Sequence, residues 1–146
     1  MPIRLMTIAD YDRVYALWLS CKGMGLNDVD DSREGIEKYL NRNPSTCFVA
    51  ETGGKIAGVI LSGHDGRRGF IHHTAVRPDC RKMGLGKQLA DAALAALKQE
   101  GISKVALVVF AHNEGGNAFW EKMGFTQRQD LAYRNLALRE LIRMDT

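Results

Sequence analysis

The stretch Arg81-Lys82-Met83-Gly84-Leu85-Gly86-Lys87-Gln88-Leu89 constrains this chain more than any other. It follows an apolar strand, Phe70 to Val76, that leaves through Arg77 and Pro78. It opens a helix expected to run to about Gln99, with Leu85, Leu89, Ala93, Ala96 and Leu97 on one face and Gly101 as its stop. Val105 to Phe110 then forms a nearly unbroken apolar run, the pattern of a central strand buried on both faces. Strand, helix and strand make a βαβ unit with a right-handed crossover.

Two glycines at the point where a loop becomes a helix have a chemical meaning. Without a Cβ, backbone N–H groups can approach a ligand closely. The first N–H groups of a helix lack internal partners, and the helix dipole is positive there. With Arg81, Lys82 and Lys87 alongside, the place suits a diphosphate. The spacing discriminates between phosphate motifs. A P-loop needs glycine where Arg81 stands and Ser or Thr where Gln88 stands. A dinucleotide fingerprint needs glycine where Leu89 stands.

The rest of the chain reads in order. Ile3 to Met6 alternates as a strand, and Thr7 can cap the next segment. Tyr11, Val14, Tyr15 and Trp18 recur at helical spacing. Asp31 with Glu34 resembles a capping box for a second helix carrying Ile36, Tyr39 and Leu40. Strands at Cys47–Ala50 and Ile56–Leu61 flank Gly53-Gly54, a hairpin signal, and a second hairpin turns at Asp65-Gly66. Asn113 opens a last helix that ends at Gly124-Phe125. Two short strands, near Phe125–Gln129 and Leu131–Leu136, are expected to close an α/β fold with one mixed sheet.

The pattern Arg-x-x-Gly-x-Gly, preceded by Val-x-Pro, resembles the acyl-coenzyme A loop of the GNAT N-acetyltransferase superfamily. A second signature, Asn-x-x-Ala-x-x-x-Tyr-x-x-x-Gly-Phe, is matched by Asn113, Gly124 and Phe125. It is departed from at Gly116 and Trp120, which puts in doubt the acid role a tyrosine there can have. The resemblance spans roughly residues 56–136, and the closest flavour is the small single-domain bacterial members. It implies a GNAT-like α+β domain over residues 1–146, with a mostly antiparallel mixed sheet around a central βαβ unit that binds acetyl-CoA.

The resemblance also implies site roles. Acetyl-CoA, as acyl donor, would lie in a V between the strands ending at Val76 and Phe110. The backbone of Ala75 and Val76 would pair with its pantetheine arm, and the N–H groups of Met83, Gly84, Leu85, Gly86 and Lys87 would hold its diphosphate. Arg81 and Lys82 would lie beside the phosphates, with Asn113 and Trp120 along the cofactor. Transfer to the amine would be direct, without an acyl-enzyme. An attacking amine must be neutral, so a base helps. His72 is the candidate, four residues before Val76, with an ordinary pKa of about 6.5. The competing reading makes His72 a packed strand histidine. By strand alternation His73 points to the opposite face. His64 and His112 read as loop residues, and Trp18, Tyr39 and Phe48 as core.

Composition narrows the partners. A net charge of +3 over 146 residues is too small to argue for nucleic acid. Three cysteines, Cys21, Cys47 and Cys80, show no metal spacing and read as reduced thiols of a cytoplasmic protein, so no metal is expected. No apolar run is long enough to span a membrane, and no signal peptide is seen. The partners expected are acetyl-CoA, an amine acceptor and a second copy in a homodimer. Two functions stand: an N-acetyltransferase acting on a small amine or peptide, and a non-catalytic acyl-CoA-binding regulatory module.

Overall fold

The computed structural model describes residues 2–144. Among them, β1 (Ile3–Leu5), β2 (Phe48–Thr52), β3 (Lys55–His64), β4 (Gly69–Val76) and β5 (Val105–Leu107) form one sheet in chain order. The first three junctions are antiparallel and β4–β5 is parallel. Both expected hairpins form. Gly53 and Gly54 have φ of +57° and +77°, the left-handed pair a two-residue turn needs between Thr52 and Lys55. At the second turn, the Asp65 carboxylate accepts the Arg67 and Arg68 N–H groups at 2.8 and 2.7 Å.

Helices cover both faces. α1 (Tyr11–Ser20) and α2 (Arg33–Arg42) pack Val14, Trp18, Ile36 and Leu40 against Val49, Val59 and Leu61. α3 (Leu85–Gln99) and α4 (Glu114–Lys122) pack Leu85, Leu89, Ala93 and Trp120 against Ala57, Ile60 and Ile71. Side chains alternate across a strand, so β3 feeds both clusters and is buried along nearly its whole length. The end of the sheet at β1 is tied down by buried Asp10, whose carboxylate takes Arg4 at 2.8 Å and Arg13 at 2.9 Å.

Three expectations are corrected. The second helix is capped by Ser32, whose hydroxyl accepts the Gly35 N–H at 3.0 Å, and not by Asp31, which turns inward. The apolar run 105–110 contributes only three residues to the sheet, with Ala106 and Val108 exposed. It has β4 on one side and no described strand on the other, so it is an edge and not a centre. The strands expected near Phe125–Gln129 and Leu131–Leu136 do not form among the described residues. Every residue from Thr126 to Glu140 is exposed. A strand is stable only against a partner edge. Here the segment is held elsewhere at its far end, where Ile142 and Met144 bond to Asp28 and Leu26.

Candidate functional site

The site begins with a gap in the sheet. β4 and β5 pair only at Gly69–Ile71 with Val105–Leu107. Beyond that, β4 continues to Val76, while residues 108–110 run on unpaired. The Arg77 N–H donates to Ala57 O on β3 at 2.7 Å. Alternation therefore turns the N–H and C=O of Val76 the other way, into the gap. The Val76 carbonyl accepts from Arg81 Nε at 3.1 Å and lies 3.7 Å from the Cys21 thiol.

At one end of the gap lies the glycine loop. After a short turn at Pro78–Cys80, Lys82 and Gly84 adopt left-handed φ of +65° and +79°. Such alternation turns successive N–H groups toward one concave side. Gly84 is the N-cap of α3 and no side chain caps the helix, so the N–H groups of Leu85, Gly86 and Lys87 are left for a ligand. A Cβ on Gly86 would stand 3.3 Å from the Phe119 ring and 3.8 Å from Val76, so this glycine also lets the helix start close against α4. Arg81, Lys82 and Met83 are exposed beside the loop. Lys87 is turned aside, its ammonium 2.7 Å from Asp91. Arg77 Nη1 is buried with no hydrogen-bond partner among the described residues. An uncapped helix start and a left-handed loop fit a diphosphate-bearing ligand.

On the other side of the gap, β4 carries a bulge. Val59 pairs with Ala75 and Leu61 with His72, so one β3 residue, Ile60, faces two on β4, His73 and Thr74. His73 has φ of +32°, an unusual value for a side-chain-bearing residue. The bulge overturns simple alternation: His73 does not point away from His72, and the two rings are 6.3 Å apart. His72 packs against Tyr39 at 5.7 Å and Phe70 at 4.6 Å. Its side chain stays partly open to solvent, and its imidazole is held below its ordinary pKa, first by the loss of water beside these rings and then by neighbouring His73. That direction favours the uncharged imidazole, which can accept a proton.

His73 is oriented from below. Its Nε2 lies 2.7 Å from Oδ1 of Asp31, a carboxylate only 5% exposed. The other Asp31 oxygen accepts the Asn27 N–H at 2.8 Å, and the Asp31 carbonyl takes the Tyr11 hydroxyl at 2.7 Å. The Trp18 indole N–H donates to the His73 carbonyl at 3.3 Å. The loop between α1 and α2 is thus locked onto the bulge. No spacing rule joins residue 31 to residue 73, so the sequence alone showed neither the pair nor its orientation.

The second motif has structural duties. Asn113 is the N-cap of α4, its side-chain oxygen 2.9 Å from the Gly116 N–H. A Cβ at Gly116 would stand 2.6 Å from the Asn113 amide, so glycine in place of alanine keeps this cap unstrained. Trp120 is buried, its ring 4.8 Å from Phe119 and 5.2 Å from Phe125, leaving little of it for a ligand to touch. His64 belongs to the second hairpin, against Glu100 at 3.0 Å, and His112 stacks on Phe110.

A sequence model of the acetyltransferase (GNAT) family matches residues 11–125, from the start of α1 to the end of the second motif. The chain belongs to the GNAT acetyltransferase family. An acetyltransferase of Sodalis glossinidius is 30% identical over 131 residues, covering 90% of this chain and 91% of that one. One of Pectobacterium atrosepticum is 32% identical over 125 residues, 86% and 87% of the two chains. Among solved structures, Ard1 of Thermoplasma volcanium superposes with a TM-score of 0.76 at 24% identity, covering 86% of this chain and 82% of its own. The ribosomal-protein-S18-alanine N-acetyltransferase of Escherichia coli gives 0.72 at 21% identity, with 88% and 79% covered. These two likenesses establish the fold. This GNAT acetyltransferase is therefore an acyltransferase, of a family whose acyl donor is acetyl-CoA. The regulatory-module reading falls away. No helix among its described residues is long and apolar enough to cross a membrane.

Proposed function

We propose that this protein is an acetyl-CoA-dependent N-acetyltransferase that moves an acetyl group directly to a primary amine of a small molecule or peptide. One observation carries the reading: the gap between β4 and β5 runs from the uncapped start of α3 to the His72–His73 bulge. When bound, acetyl-CoA supplies a thioester reactive toward amines. The chain supplies the rest. The N–H groups of Met83, Gly84, Leu85, Gly86 and Lys87 hold the diphosphate, with Lys82 beside them. Ala75 and Val76 pair with the pantetheine arm as an added strand. Arg81 leaves the Val76 carbonyl on binding, and its guanidinium becomes free for phosphate. The Val76 N–H points at the place where the acyl oxygen gains charge. His72 takes the proton of the attacking amine, and His73, braced by Asp31, shapes the wall beside it. Asn113 fixes the start of α4, and Trp120 supports Phe119 against the gap.

The acceptor enters past the loop Asn27 to Asp31. The exposed Asp28 and Asp30 favour a cationic amine there. An open hollow lined by Asp28, Val29, Ser32, Arg33, Glu34 and Arg139 lies on the outer side of the same loop. The fold shared with a ribosomal-protein-S18-alanine N-acetyltransferase supports including peptides and proteins among the acceptors. Three buried, unpaired thiols support a reducing compartment, the cytoplasm. We read the working unit as a homodimer, because a long apolar segment is exposed in the single chain. The test is thiol release from acetyl-CoA with a panel of small amines and N-terminal peptides. Expected is release with at least one amine, with a matching mass gain of the acceptor. CoA binding without transfer to any acceptor would overturn the reading.

A further inference from the structure

A primary amine that arrives as an ammonium ion must lose two protons before it is an amide. One leaves so that the nitrogen can attack, and the other leaves as the C–N bond forms. His72 accounts for one of them, and the bulge holds a second imidazole ready. Asp31 Oδ1 lies 2.7 Å from Nε2 of His73, and the other Asp31 oxygen accepts the Asn27 N–H at 2.8 Å. A carboxylate only accepts, so the proton of neutral His73 sits on Nε2 and the lone pair on Nδ1. The imidazole is 18% exposed, and Nδ1 has no hydrogen-bond partner among the described residues. Among those residues the one buried side-chain nitrogen or oxygen without a partner is on Arg77, so Nδ1 is open to solvent. The ring is also fixed in place. The Trp18 indole stands edge-on to it at 5.3 Å, and the indole N–H donates to the His73 carbonyl. The φ of +32° at His73 is a conformation that persists only where its surroundings over-determine it.

We propose that His73, aimed by Asp31, is the proton acceptor that neutralises the incoming ammonium ion ahead of the attack assisted by His72. The proposal rests on the N-acetyltransferase reading and adds a second proton-handling group to it. His73 is tied to the loop Asn27 to Asp31, past which the acceptor enters, while His72 lies against Tyr39 of α2. In the first step an N–H bond of the ammonium ion breaks, its electron pair stays on nitrogen, and the proton goes to Nδ1. The imidazolium so formed is balanced by the Asp31 carboxylate at its other nitrogen. In the second step the C–N bond forms, the C–S bond breaks with its electron pair left on sulfur, and the second proton goes to His72. Through water, one proton ends on the thiolate and the other in bulk solvent, and both imidazoles are neutral again. The titratable groups facing the two histidines are Asp31 and Asp30 on the loop and Tyr39 on α2. From α1 come Trp18 and, at the Asp31 carbonyl, Tyr11, and from β3 comes Ile60.

The test uses the full chain, acetyl-CoA and an alkyl amine that the thiol-release panel shows to be accepted. The analogue of that amine with a trifluoromethyl group beside the amine carbon is less basic, because fluorine withdraws electrons, and its nitrogen arrives uncharged at neutral pH. His73→Gln keeps an N–H for Asp31 but has no basic nitrogen. It should lower kcat/KM about 100-fold for the alkyl amine at neutral pH and far less for the fluorinated one. The difference should close as pH rises and the alkyl amine loses its charge in solution. His72→Ala should slow both amines alike. A second measurement needs neither substrate nor His73→Gln. Two-bond ¹H–¹⁵N spectra of the ¹⁵N-labelled protein should show His73 as the Nε2–H tautomer. Asp31→Asn, whose amide can donate as well as accept, should lose that preference. Equal losses with the two amines in folded His73→Gln, or an Nδ1–H tautomer in the wild type, overturns the role of His73 and leaves acetyl transfer standing. A wild type that acetylates no amine overturns the N-acetyltransferase reading itself.

Discussion

Gly86→Glu tests the phosphate site, and the structure says why the result will be interpretable. Gly86 is at the second position of α3, in the first turn. A glutamate there gains helix propensity of up to about 1 kcal/mol over glycine. It also gains about 0.3–1 kcal/mol from the helix dipole. Against this, its Cβ would stand 3.3 Å from the Phe119 ring, a crowding of a few tenths of an ångström that costs about 1–3 kcal/mol if the ring cannot yield. These effects nearly cancel, so the variant stays folded. Binding is different. A carboxylate about 4 Å from a phosphate charge, at an effective dielectric of about 20, costs about 4 kcal/mol. Gly86 is partly exposed, and solvent screening brings this to about 2–3 kcal/mol, on the order of 100-fold in affinity. Gly86→Gln has nearly the same bulk without the charge. Calorimetric titration with CoA should therefore rank glycine above glutamine and glutamine above glutamate, the last step shrinking in high salt. A folded Gly86→Glu protein that binds CoA with unchanged affinity would refute the placement of the diphosphate at this helix start.

Other outcomes are expected from the same geometry. His72→Ala should lower kcat/KM by about 100-fold at neutral pH. With His72 as the proposed base, its protonation would shut off the wild-type reaction. Its pKa is depressed, so the acidic limb of the profile should fall below the ordinary histidine value of about 6.5 and vanish in the variant; an unchanged profile would return His72 to a packing role. The same depression makes His72 a source of stability above its unfolded pKa, lost as pH falls through the folded one, so urea midpoints should rise less steeply with pH in His72→Ala. Asp31→Ala leaves His73 and the buried Asn27 N–H without their acceptor and should cost about 2–3 kcal/mol in urea unfolding, with Asp31→Asn costing less; a loss below about 1 kcal/mol would mean the loop is not locked to the bulge. Trp120→Phe should lower stability by about 1–2 kcal/mol, since the indole is buried between Phe119 and Phe125. A large fall in kcat at unchanged melting temperature would show that the indole N–H acts in transfer.

Local chemistry was legible in the sequence. The hairpin glycines, the start and length of α3, the left-handed glycine loop before it and the alternation of the first strands depend on residues within a few positions of one another. Glycine with positive φ, an uncapped helix start and period-2 or period-3.6 patterning write such features directly into the chain. Asp31 was legible only as far as its type: beside Glu34 it read as a helix cap, and Ser32 took that part. What the tertiary structure decided is what depends on partners distant in sequence. The run Val105–Phe110 looks like a central strand because it is apolar. Whether it is a centre or an edge depends on a neighbour, and here residues 126–140 are not that neighbour. The direction of His73 could not be read from alternation, because one extra residue opposite Ile60 shifts the register and brings both histidines to the same side of the sheet. A bulge is set by the pairing of two strands and the pull of a buried carboxylate 42 positions away, and neither leaves a periodic trace in the chain that carries it.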